Sequence, residues 1–136
     1  MSATISGLRD GLKTNLSTIS GLRAYDTVPD NPSPPFAVVL PTGVRYRSAF
    51  AKGACDYDFT VLVVVGRVSE RIAQDTLDGY CNAAGSTSIA TAIESAPTLS
   101  GQAFDTRVVE MRNYQQLAIG EITYLAAEFT VQVVAD

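Results

Sequence analysis

Three features predict an α+β fold with a mainly antiparallel mixed sheet and two to three helices packed on one face. The stretch from Cys55 to Val65, CDYDFTVLVVV, is the longest apolar run, and its β-branched and aromatic residues favour a pleated, buried surface. Two segments, near 4–18 and 69–84, repeat apolar residues at steps of three and four, as a helix with one buried face does. The last third alternates apolar and polar residues on either side of Gly120-Glu121, the turn chemistry of a two-residue hairpin.

The central strand comes first because the rest is arranged around it. Alternate residues Tyr57, Phe59, Val61, Val63 and Val65 fall on one face; Asp56, Asp58 and Thr60 begin the other before it turns apolar at Leu62 and Val64. One face is predicted to be core throughout, and the second to begin wet and end covered.

From the N-terminus, Ile5, Leu8, Leu12, Leu16 and Ile19 place an amphipathic helix over 4–18, with Ser2 or Thr4 as N-cap and Gly21 as its end. Gly7 and Gly11 weaken it, each by up to about 1 kcal/mol relative to alanine, so it depends on packing against the sheet. A short strand is expected over 22–25. The proline-rich DTVPDNPSPP that follows forbids regular structure and reads as a rigid surface loop. FAVVL, 36–40, reads as a strand buried on both faces, and 41–54 as a protruding hairpin arm leading to the central strand.

After Gly66, SERIAQDTLDGYCNAA forms a helix with Ser69 as N-cap and a stripe of Ile72, Ala73, Thr76, Leu77, Tyr80 and Cys81. Arg71 and Asp75 lie four apart on its exposed side, and Gly85 ends it. The serines and threonine at 86–88 cap a shorter helix that turns Ile89, Ala92, Ile93 and Ala96 inward and stops at Pro97. Strands follow over 104–119 and 122–134. In the last, Leu125, Ala127, Phe129, Val131 and Val133 face one way and Tyr124, Glu128, Thr130 and Gln132 the other; Arg112-Asn113 breaks its partner's alternation and marks a bulge. If the last strand ends the sheet, its edge needs pairing or protection.

Size and charge narrow the function. A chain of 136 residues is one ordinary domain, 1–136, able to bury about two-thirds of its unfolded surface. It is 46% hydrophobic and only 18% charged, which fits a subunit that hides surface in an oligomer. A net charge of −4 and a pI near 4.7 speak against a surface given over to nucleic acid or anionic membrane. No apolar run approaches the roughly 20 residues of a membrane span, and the N-terminus lacks the pattern of a signal peptide. Cys55 and Cys81 stand far apart without ligand spacing and read as small buried hydrophobes.

The chain has no histidine, the commonest general base and metal ligand. No GxSxG, P-loop or GxGxxG motif is present. Asp56 and Asp58 share a strand face, but without a third ligand type they read as solvated charges; GSTS at 85–88 reads as a helix cap rather than an anion site. No catalytic, cofactor-binding or metal residue is therefore assigned, and no cofactor or enzyme activity is expected. Core logic leaves one stretch unexplained. Arg45, Tyr46, Arg47, Phe50 and Lys52 interleave cations with aromatics, which suits an acidic protein partner or neighbouring subunit, a nucleic-acid backbone, or a plain hairpin folded back on the domain.

The succession LRAYDTVPDNPSPPFAVVLP, then AKGACDYDFTVLVVVGRVSERIAQDTLDGY, then RNYQQLAIGEITYLAAEFTVQV, covers nearly the whole chain. In that order the segments resemble the tail terminator proteins of siphovirus-like phages of actinobacteria. The resemblance implies a structural virion protein: a homo-oligomer, as a hexameric ring, that caps the tail tube, ends its polymerisation and joins the tail to the head-neck connector. Implied partners are the tail tube protein and the head completion or connector protein, with non-specific proximity to DNA passing through the lumen and no membrane. The implied location is the tail-neck junction of the virion after assembly in the host cytoplasm. The alternatives are another head-to-tail joining (neck completion) protein and, from a different class, a small-ligand-binding domain, which needs a pocket with convergent polar groups.

Overall fold

The computed structural model describes residues 4–19, 22–25, 35–45, 55–67, 73–83, 85–96, 98–99, 103–119 and 122–135. In chain order these form α1 (Ile5–Leu16), β1 (Arg23–Tyr25), β2 (Phe36–Arg45), β3 (Cys55–Arg67), α2 (Ala73–Cys81), α3 (Ile89–Glu94), β4 (Asp105–Ile119) and β5 (Ile122–Ala135). The five strands make one sheet in the order β1-β2-β3-β5-β4, with β1 parallel to β2 and every other pair antiparallel. The predicted α+β class holds, and Cys55 does begin the central strand.

The core lies between the helices and one face of the sheet. Leu8, Leu12 and Leu16 of α1, Leu77 and Tyr80 of α2, and Ile89 and Ile93 of α3 pack in one cluster with Ala37, Val39, Phe59, Val61, Val63, Ala127, Phe129, Val131 and Val133. Phe59, Val61 and Val63 are wholly buried there, as the strand's alternation requires. The second face of β3 behaves as the sequence suggests: Asp56 and Asp58 are part-exposed, while Val64 has no exposure.

Helices α1 and α3 are shorter than their periodicity. Thr4 is the N-cap of α1, its Oγ1 accepting from Gly7 N at 3.0 Å. The helix ends at Leu16 because Ser17 and Thr18 donate their hydroxyls back to the carbonyls of Lys13 and Asn15, closing the chain before Gly21. Ile5, expected on the buried stripe, is 38% exposed at that first turn. In α3, Ser88 caps as predicted, with Thr91 N donating to its Oγ at 3.1 Å, while Ala96 lies past the last turn and is exposed. The Ser69 cap, the Arg71–Asp75 pair, Pro97, the proline-rich 26–34 and the Gly120-Glu121 turn lie outside the described residues.

The sheet adds to the sequence reading at two points. Residues 41–45, predicted to begin a protruding arm, continue β2 and pair with β3 as far as Arg45↔Asp56. Among the described residues β1 pairs only with Phe36–Val38, so no described strand lies on that side of β2 at Pro41, where a missing N–H is tolerated, and the register shifts between Pro41 and Gly43. The last strand, β5, is not an edge. It lies between β3 and β4, and among the described residues β4 is the edge. Its register runs from Ile119↔Ile122 outward, as the hairpin reading requires. A shift between Arg112 and Gln115, with Asn113 at φ 55°, is the predicted bulge; a second, between Val108 and Glu110, has no breaker residue to announce it.

Candidate interaction surface

With the helices on one face, the sheet's second face becomes the main candidate surface, and the strand register divides it in two. At one end Phe36, Val38, Val64 and Ala126 form a small buried apolar cluster. Around it Tyr25, Leu40, Leu62, Leu117 and Tyr124 are only partly covered. Tyr25 meets Phe36 edge-on, with ring centres 6.1 Å apart. These residues share the face because Phe36↔Val64, Val38↔Leu62, Val64↔Ala126 and Leu117↔Tyr124 are all ladder partners.

The other end is charged. Arg45 is opposite Asp56, and its guanidinium reaches both acids: Nη1 lies 2.7 Å from Asp58 Oδ2, where it donates a hydrogen bond, and Nε lies 3.6 Å from Asp56 Oδ2. Asp56 and Asp58 are thus held by a cation, a pairing that the shift at Pro41/Gly43 hid from the sequence. Beside them an open hollow of about 250 Å³ is lined by Asp56, Asp105, Thr106, Arg107, Gln132 and Val134. Arg107 Nη2 donates to Gln132 Oε1 at 3.2 Å across its wall. Two carboxylates, an amide and a guanidinium make this a place for polar contacts.

Of the residues singled out from the sequence, Arg45 is thus placed at the root of the 46–54 segment, anchored to β3. Tyr46, Arg47, Phe50 and Lys52 lie outside the described residues. Cys55 and Cys81 are free and half-buried. Burial and the neighbouring Asp78 charge push the Cys81 thiol up to about 11. Tyr114, in the Asn113 bulge, donates its hydroxyl to Asp78 Oδ1 at 2.8 Å, and burial together with that carboxylate pushes its phenol up to about 12. Both groups are held in their protonated, unreactive forms. Among the described residues no group of three or more His, Cys, Asp or Glu is arranged to hold a metal ion, and no helix is long and apolar enough to cross a membrane.

Sequence reasoning missed two features of the surface: the Arg45 clamp and the exposure of Phe104, just before β4, and of Val109 and Met111 on it, at 61%, 52% and 39%. The apolar run at Val108-Val109 signals the second in retrospect, since a strand with one buried face has no use for two successive valines. No protein-family model matches the chain, and no curated protein matches it.

Proposed function

We propose that this protein is a structural subunit of a phage tail, a tail terminator that caps the tube, ends its growth and joins it to the head-neck connector. The observation that carries this reading is the second sheet face. Among the described residues no helix lies on it; at one end half-covered apolar residues ring a small buried cluster, and the other end is charged, with Arg45 held there by Asp56 and Asp58. Such a face serves burial against other subunits, and a ring would join one patch to a different patch on the neighbour. On this reading the protein performs no reaction, resides at the tail-neck junction, and meets the tube subunit on one side and the connector on the other.

Deleting the gene in its phage and measuring tails by electron microscopy tests the proposal. Loss of a terminator yields overlong tails. Finished tails of normal length left unattached to heads would instead make the protein a neck completion factor. Replacing Tyr46 and Phe50 with serine is expected to leave a folded subunit that fails to cap tubes; unchanged capping counts against a role for that segment.

A further inference from the structure

The long edge of the sheet carries a charge pattern complementary to itself. β4 is 15 residues long and terminal in the sheet, and among the described residues only β5 pairs with it. Alternate backbone N–H and C=O groups along it therefore point away from the sheet, as a template for another strand. Of the four large hydrophobic residues exposed among the described ones, Val109 and Met111 are on this strand and Phe104 immediately precedes it. The opposite edge, β1, has three residues.

The bulge between Val108 and Glu110 sets the pattern. It inserts one residue, so Asp105, Arg107, Glu110 and Arg112 all fall on one face, opposite Val134, Gln132, Thr130 and Glu128 of β5. Along that face the charges read minus, plus, minus, plus, symmetrically about the bulge. Set antiparallel to itself about a two-fold axis through the bulge, between Val108 and Val109, the strand brings Arg107 to Glu110 of a second copy and Asp105 to Arg112 of a second copy. Each contact occurs twice, and no like charges meet. Sliding either copy by two residues places like charges opposite one another, so the pattern selects one register. At the axis, however, Val108 N already donates to Glu94 Oε2 at 3.0 Å. That carboxylate reaches over from α3 and occupies the donor that a second strand's carbonyl would take.

We propose that the β4 edge is a self-association surface, pairing with β4 of a second copy about the Val108–Val109 bulge, and that Glu94 guards it by holding the Val108 N–H. The contact is isologous and closes at two, so it is independent of any ring built from unlike patches. Releasing Glu94 opens the edge, and the four charges then fix how two copies meet.

Sedimentation equilibrium over a wide concentration range tests this with four proteins: wild type, Glu94→Ala, Glu94→Ala with Arg107→Glu, and that pair with Glu110→Arg added. Circular dichroism checks that each is folded; if the Arg107 variants fail this check, Asp105→Arg alone and with Arg112→Asp replace them. Glu94→Ala is expected to tighten dimerisation at least tenfold. Reversing Arg107 should undo that gain, and adding the Glu110 reversal should restore it. A monomeric Glu94→Ala protein, or a dimer indifferent to the single reversal, overturns the proposal. Six-membered rings in all four proteins, with no pairing of subunits or rings that answers to these changes, would overturn it while leaving the tail terminator reading intact.

Discussion

Gly11 sits where α1 meets the backbone at Leu99, and a Cβ there would stand 2.8 Å from Leu99 Cβ, closer than real side chains approach. Alanine is the better helix former by up to about 1 kcal/mol, but overpacking costs about 1–3 kcal/mol. Gly11→Ala is therefore expected to lower the melting temperature, although on an exposed helix it would raise it. Asn15, 6% exposed, donates both amide hydrogens, to Ile93 O and Ala96 O at 3.0 Å each. These bonds supply a donor to the Ile93 carbonyl in the last turn of α3 and a second donor to Ala96 O, which also accepts from Leu99 N at 3.1 Å. Asn15→Ala should cost about 1–3 kcal/mol in urea unfolding, because it takes the buried amide donor from Ile93 O. Cys81 gives a pH signature. Its folded value of about 11 exceeds the ordinary 9.0, so the stability carried by the protonated thiol is fully present below pH 9 and is lost as pH rises through 11. In a Cys55→Ser variant, thiolate absorbance should titrate near 11; a midpoint near 9 would contradict the buried setting beside Asp78.

At the scale of elements, α3 is the most dependent on its neighbours. With six residues it is too short to be stable alone, and it is held by Asn15 at one end and Ser88 at the other. Ser88, nearly fully buried, donates to Asn82 O at 2.6 Å and accepts from Thr91 N. Ser88→Ala is expected to cost about 1–2 kcal/mol, measured as a shift in the urea midpoint, whereas Ser88→Asn should cost less. The strands were legible in the sequence because their period of two is strong: the register of β4 and β5 follows directly from the Gly120-Glu121 punctuation and the alternation Ala127, Phe129, Val131. Helix ends were less legible. The apolar stripe of α1 continues to Ile19, which is buried, but the hydroxyls of Ser17 and Thr18 compete for carbonyls and end the helix first. The β2 extension was hidden by Pro41, which reads as a strand terminator until β1 is known to be too short to pair there.

The whole molecule has one main core, to which all three helices and every strand contribute, with the smaller cluster on the second sheet face built on the same strands. Far-ultraviolet and tyrosine signals should therefore lose structure in a single coincident transition; two separated transitions would show that the second-face cluster unfolds independently. The candidate surface was only half legible for a related reason. Which residues are charged is plain in the sequence, but which of them share a face depends on register shifts at 41/43 and 108/110 whose size and direction the local residues do not fix. Strand order has one more consequence. The outermost strand reaches the sheet only through β5, which follows it in the chain and sits further in. Pairing of these two across their short connection is local, whereas docking them on β3, with Val131 and Phe129 opposite Phe59 and Val61, closes a long loop; the second step is therefore expected to be the slower, and substitutions at Val131 should slow refolding more than substitutions at Leu117.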